Sequence, residues 1–261
     1  MFNINDLIID SIIKGVGFNM ATDEYLFSVN QLQDATLSCT SETNVKTDAK
    51  GTPIMSFDRA KSATLTANNA LLNLGLLANQ MGTEKEVATD THKIEMPCFE
   101  TITVEEGVTD YTLKHTPKQE VTKIFTLNGD DTEGTAFDSA TAAADDKFVY
   151  SAGVITVPTN STPGTQYIVF YNYDATEAVS VTNSAKNFPK NFKFVMSVLC
   201  AEPCNTTDLI LCYVIFPNAK LSSSVDISFT TDGTHPLTIE AQQAYCDKEK
   251  KLFQIVVVQD E

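Results

Sequence analysis

Tryptophan is absent from this 261-residue chain, arginine occurs once (Arg59) and histidine three times (His92, His115, His235), and glycine and proline number only 11 and 9. A single guanidinium leaves no set of bidentate forks for phosphates and base edges, and 34 acidic against 18 basic residues give a formal charge of −16 that repels polyanions. A nucleic-acid reader is not expected. No apolar run approaches the ~18 residues of a membrane-spanning helix, because Asp, Asn or Lys interrupts each one. Asp6 and Asp10 occupy the stretch where a secretory leader carries lysines and then uncharged apolar residues, so export by that route is not expected. The 6 cysteines (Cys39, Cys98, Cys200, Cys204, Cys212, Cys246) are scattered, mostly through apolar strand-like segments, and form no spaced framework. They read as reduced, buried thiols made in a cytosol.

Against these absences stand 43% hydrophobic and 9% aromatic residues, with 15 Phe and 8 Tyr, enough to build a packed core and to set composition-driven disorder aside. The length fits one large domain or two small ones.

Apolar residues at Ile4, Leu7, Ile8, Ile12 and Ile13 recur at helical spacing and predict a short amphipathic arm that needs another surface to cover it. From Tyr25 to Cys39 the texture turns to strand, then a polar stretch, Thr40 to Thr52, precedes the alternating Pro53 to Phe57, which reads as a long hairpin with a large tip. Lys61 to Ala67 is a further strand, and Asn69 to Met81 predicts a helix stopped by Gly82. After a strand over His92 to Thr103, short strands at Tyr111–His115, Val121–Leu127, Phe148–Tyr150, Val154–Val157 and Tyr167–Tyr173 are punctuated by turn residues, the pattern of a small β-sandwich or barrel. Longer strands follow at Phe192–Ala201, Asp208–Phe216 and Val225–Thr230, and the tail predicts a helix from Thr238 to Asp247 and a buried strand over Leu252–Val258. The expected organisation is mainly β: a discontinuous host domain, 1–104 and 181–261, with a small β domain inserted at 105–180.

Chemistry finds little foothold. The histidines lie far apart, with no HExxH or HxH pattern, and are expected on the surface or in turns; Cys200 and Cys204 lack a second ligand pair. Gly15-Val16-Gly17 lacks the preceding buried strand and third glycine of a dinucleotide loop. Adjacent carboxylates such as Glu105-Glu106, Asp130-Asp131 and Asp145-Asp146 fit solvated turns better than a calcium loop. With no nucleophile, base and orienting group in register, the expectation is a protein that is not an enzyme, holds no metal or cofactor, and acts through shape, charge and association.

Leu32 to Leu37, Phe57 to Leu71, Gly75 to Glu84, Tyr167 to Tyr173 and the closing segment Val225 to Val258 resemble the tail-tube (major tail) proteins of tailed bacteriophages, in the variant carrying an immunoglobulin-like insertion. The resemblance spans nearly the whole chain. It implies two packed antiparallel sheets with a flanking helix, and hexameric rings stacked into a hollow tube that conducts the DNA genome. It further implies a virion protein assembled in the bacterial host cytoplasm, with tape-measure, tail-terminator and distal-tail proteins as partners and no membrane.

On that reading the acidic surplus makes a lumen from which the DNA backbone is repelled, so that the genome slides. The polar tip and the apolar arm are completed by neighbouring copies, with Phe2, Ile4, Leu7, Ile8, Ile12, Glu42, Asn44, Lys46, Asp48 and Lys50 as the expected contacts between subunits and rings. The plain alternative for both segments is a flexible loop and a frayed terminus. A competing function is a capsid-decorating or fibre-type virion protein whose β insert binds a host surface or glycan.

Overall fold

In the computed structural model, residues 5–258 are described. The chain runs β1 (Ile8–Asn19), β2 (Tyr25–Val29), β3 (Leu32–Thr47), β4 (Pro53–Asn69), α1 (Leu74–Met81), β5 (Glu86–Val87), β6 (Ile94–Thr103), β7 (Asp110–Thr112) and β8 (Lys123–Leu127). It continues β9 (Glu133–Ser139), β10 (Lys147–Ser151), β11 (Val154–Thr156), β12 (Gln166–Ala175), β13 (Val179–Ser180), β14 (Asn191–Glu202), β15 (Asn205–Leu221), β16 (His235–Ala241) and β17 (Gln254–Val258). The fold is mainly β, in two compact units: unit 1 is Met1–Lys85 with Val181–Glu261, and unit 2 is Glu86–Ser180.

Unit 1 is a sheet in the order β2-β1-β14-β15-β16-β4-β3, with β17 also paired to β15. The long β15 is the bend: Leu211–Ile215 pair with β17, whereas Ala219–Leu221 pair with β16. Only Asn30 and Gln31 separate β2 from β3, so the two ends of the sheet meet and its halves face each other. The two packed sheets expected are thus halves of one folded sheet. Strict alternation on β14 aims Phe192, Phe194, Met196, Val198 and Cys200 inward against Phe27, Leu65, Phe216 and Ile239. Gly15 and Gly17, dismissed as a nucleotide loop, serve this core by lacking a side chain. A Cβ on Gly17 would stand 2.4 Å from the Phe27 ring, and one on Gly15 would stand 2.7 Å from that of Phe194.

The helix is shorter than the predicted 69–81, because Asn69 ends β4 and Asn73 caps α1 by accepting the Leu76 N–H at 2.9 Å. Gly82 closes it at φ +68°, with the Gly82 and Thr83 N–H groups donating to the Asn79 and Ala78 carbonyls. Against the surface position expected of it, His235 is buried on β16: Nδ1 accepts the Asn73 N–H at 3.2 Å and Nε2 faces Gln80 Oε1 at 2.7 Å. Its ring therefore ties the helix to the sheet in the neutral form with the proton on Nε2.

Burial holds the His235 pKa below its usual 6.5. The unfolded chain takes up a proton that the folded chain refuses, so this stabilisation is complete above pH 6.5 and drains away as the pH falls below it. Melting curves from pH 7.5 to 5 should show the loss, with a shallower slope in His235→Asn.

Unit 2 follows the path β6-β12-β8-β9-β10-β11-β7, and β10 is its corner, parallel to β9 and antiparallel to β11. Its core holds Ile124, Phe148, Ile155, Tyr167 and Val169. This unit begins before residue 105, because β6 pairs with β12 along its whole length from Ile94 to Thr103. Strands β5 and β13 pair at Val87–Val179 and Glu86–Ser180, which brings the two ends of the unit together.

Other expectations fail for identifiable reasons. Leu7 to Ile13 is not a helical arm: β1 starts at Ile8. Thr238 to Asp247 is not a helix either, since β16 buries His235, Leu237 and Ile239 in strand alternation and the following residues form turns. Val225 to Thr230 forms no strand. Thr40 to Thr52 is not a loop, because β3 and β4 stay paired to Thr47–Pro53. Strand β9 was unexpected. Of the cysteines, only Cys200 and Cys212 are buried, Cys39, Cys204 and Cys246 are exposed, and all six are free. Burial and the neighbouring Cys212 push the Cys200 thiol up to about 12, leaving it inert.

Candidate functional site

The feature of unit 1 that its own core does not explain is the outer part of the β3–β4 hairpin. From Ser38 to Ser62 every residue is exposed, although cross-strand pairing continues to Thr47–Pro53. At ~3.3 Å per residue the ribbon projects roughly 30 Å beyond the body. A two-stranded ribbon without a covering layer is marginal in water. This one is held locally: Thr43 Oγ1 donates to Asp58 Oδ1 at 2.7 Å, and Thr40 Oγ1 lies 2.6 Å from Ser62 Oγ. At the tip Asp48 Oδ1 accepts the Lys50 and Thr52 N–H groups at 2.8 Å each, and those bonds hold its carboxyl below the usual carboxylate range. Gly51 supplies the positive φ of +84° that the turn requires. Near its root the register shifts between Thr40 and Glu42, opposite Ala60 at φ +48°, a bulge that adds twist.

Register sorts the ribbon into two faces. Glu42 stands opposite Arg59, Asn44 opposite Phe57 and Lys46 opposite Met55 on one face; Thr43–Asp58 and Val45–Ser56 lie on the other. Both faces thus carry exposed apolar side chains, Met55 and Phe57 on one, Val45 and Ile54 on the other, with Ile54 71% exposed. The sequence-predicted contacts Glu42, Asn44 and Lys46 share a face, and Asp48 and Lys50 form the tip. The four apolar residues were missed. Their signal was alternation of Ile54, Met55 and Phe57 in a strand whose partner has almost nothing apolar to meet them.

The N-terminal set divides differently. Leu7 and Ile12 pack on the unit 1 core, whereas Ile8, Ile9 and Ile13 are exposed. Phe2 and Ile4 lie outside the described residues. From Ile8 to Lys14 strand β1 pairs with β14 only, β2 joining at Gly15, so this apolar stretch is an open edge. Leu72 and Phe229 line a further recess of about 340 Å³ beside His235.

Charge is shared unevenly. Unit 2 has 16 acidic and 5 basic residues, a net of −11, and unit 1 has 18 and 13, a net of −5. Within unit 1 the ribbon runs the other way, with Lys46, Lys50, Arg59 and Lys61 against Glu42, Asp48 and Asp58. Among the described residues no group of three or more His, Cys, Asp or Glu is placed to hold a metal, and no helix is long and apolar enough to cross a membrane.

No curated protein matches the chain. The family model that matches residues 7–255 shows the rest: the chain belongs to the YomU/Tube protein family, of phage tube-type structural proteins.

Proposed function

We propose that the chain is the repeating wall subunit of a phage tail tube, assembled as stacked hexameric rings around a bore that conducts the DNA genome, and that it has no catalytic role. The observation that carries this reading is the ribbon from Ser38 to Ser62, exposed on both faces and with exposed apolar side chains on each. A ribbon of one copy docked on the body of the next makes a heterologous contact, which closes into rings or propagates into a stack. Its net positive charge meets a body that is more negative than unit 1 as a whole, so the docking is electrostatically complementary.

In this arrangement the bore is built from unit 1, whose acidic body keeps the DNA backbone from adhering. Unit 2, read as an immunoglobulin-like insert, decorates the outside and carries the larger share of the net charge, −11 of −16. Tape-measure, tail-terminator and distal-tail proteins complete the tail, in a virion assembled in the host cytoplasm.

Sedimentation and negative-stain microscopy of the purified chain test the proposal. Annular particles and tubes should appear with rising concentration and weaken between 50 and 500 mM NaCl, because the ribbon contact includes exposed charges. A monodisperse monomer at every concentration overturns it.

A further inference from the structure

The outward face of unit 2 carries three phenylalanines on three adjoining strands. Alternation on β12 sends Tyr167, Val169 and Tyr171 into the core and Ile168, Phe170, Asn172 and Asp174 outward. Phe99 on β6 stands directly opposite Phe170, and Phe125 on β8 stands opposite Ile168. The rings meet edge to face, with centroids 5.7 Å apart for Phe99–Phe170 and 6.0 Å apart for Phe125–Phe170. Phe99 is 72% exposed and belongs to no core cluster. Folding alone does not ask for it.

Further along the same outward rows the chemistry changes. Asn172 Nδ2 donates to Glu95 Oε1 at 2.8 Å, and Lys118 Nζ reaches Glu95 Oε2 at 2.5 Å and Asp174 Oδ1 at 3.1 Å. Lys118, then Asn172, holds the Glu95 carboxyl below the usual carboxylate range, so it is an ionised acceptor at neutral pH. Where the aromatic and polar groups adjoin there is a recess of about 350 Å³, lined by Phe125, Phe170, Asn172, Glu95 and Lys118 among others.

We propose that this face of unit 2 is a carbohydrate-binding site for uncharged glycans, with Phe99, Phe170 and Phe125 as the stacking floor and Asn172, Glu95 and Lys118 as the hydroxyl-reading rim. A pyranose ring presents a flat C–H face and an edge of paired hydroxyls, and the site offers the counterpart of each: aromatic faces beside acceptors and donors held by mutual hydrogen bonds. Because those polar groups are already fixed, little rotamer freedom remains to be lost when a sugar binds. A second protein copy is a poorer occupant, since three rings cover only a fraction of the ~800 Å² per partner that a stable interface needs. Anionic ligands are disfavoured by the 16 acidic against 5 basic residues of the unit.

This inference does not rest on the tube reading, because binding is measured on the chain whether or not it polymerises. The test is calorimetric titration of the full-length chain with malto- and chito-oligosaccharides, preceded by an array of neutral glycans. Saturable binding of at least one neutral probe is expected. It should weaken at least tenfold in Phe170→Ala and in Glu95→Gln, with melting temperature and sedimentation unchanged. No binding to any neutral glycan at millimolar concentration overturns the proposal, as does binding that both variants retain. A changed sedimentation profile in Phe99→Ala or Phe170→Ala also overturns it, by showing that copies of the chain cover this face.

Discussion

A chain in which residues 41–61 are replaced by Asn-Gly, closing β3 onto β4 at the Thr40–Ser62 pair, is expected to fold as the parent does and to lose assembly altogether. The pair at the cut is already in register, and a two-residue Asn-Gly loop matches the twist of the strands it joins. Nothing is removed from the core, because every residue from Ser38 to Ser62 is exposed. What is removed is Val45, Ile54, Met55 and Phe57, worth together about 5 kcal/mol if each is half-covered in an assembled wall. At ~1.4 kcal/mol per factor of ten, that is a loss of at least ~1,000-fold in association. Sedimentation should show monomer at concentrations where the parent is expected to assemble, while the melting temperature moves by about 3 °C or less. A shortened chain that still builds tubes would remove the ribbon from the account.

The largest effect on stability is expected from Phe194→Ala. This side chain is fully buried at the centre of β14, with ring contacts to Phe27, Phe192 and Phe216 at centroid distances of 6.4, 6.2 and 6.3 Å. Gly15 lies against the same ring, so truncation opens space that no neighbouring side chain on β1 can fill. Loss of transfer energy and the residual cavity together cost about 3–5 kcal/mol. At roughly 2–4 °C per kcal/mol for a unit of this size, the melting point should fall by about 10 °C or more. Unit 2 has its own core, built from residues of 102–171, so calorimetry should show one transition displaced and a second left in place. Displacement of both together would mean the two units unfold as one.

Much of this architecture was legible in the residues. The strands of unit 2 announced themselves because turn residues separate short alternating runs, and Gly82 marked the end of α1 because only glycine readily takes its φ of +68°. Strand β1 was misread for a physical reason. Its register against β14 shifts between Ile9 and Ser11 and again between Ile12 and Lys14, and each bulge skips a residue, so apolar positions fall at the spacing of a helix. Strand β9 went unseen because its sequence, Glu133 to Ser139, holds one large apolar residue, Phe137. On β16 the alternation of Leu237, Ile239 and Ala241 was visible, but Thr238 after Pro236 imitated a helix start. Of the ribbon, the sequence pointed to its polar positions and passed over its exposed apolar ones, Val45, Ile54, Met55 and Phe57, since a strand pattern names two faces without naming what covers them.

The two-strand clasp formed by β5 and β13 has a consequence for how such chains diversify. Because it holds the start and finish of the insert side by side, the intervening domain can be exchanged for another, or trimmed to a short loop, with the host strands following the same course. A cassette of new surface can then be installed while the sheet of unit 1 stays as it is.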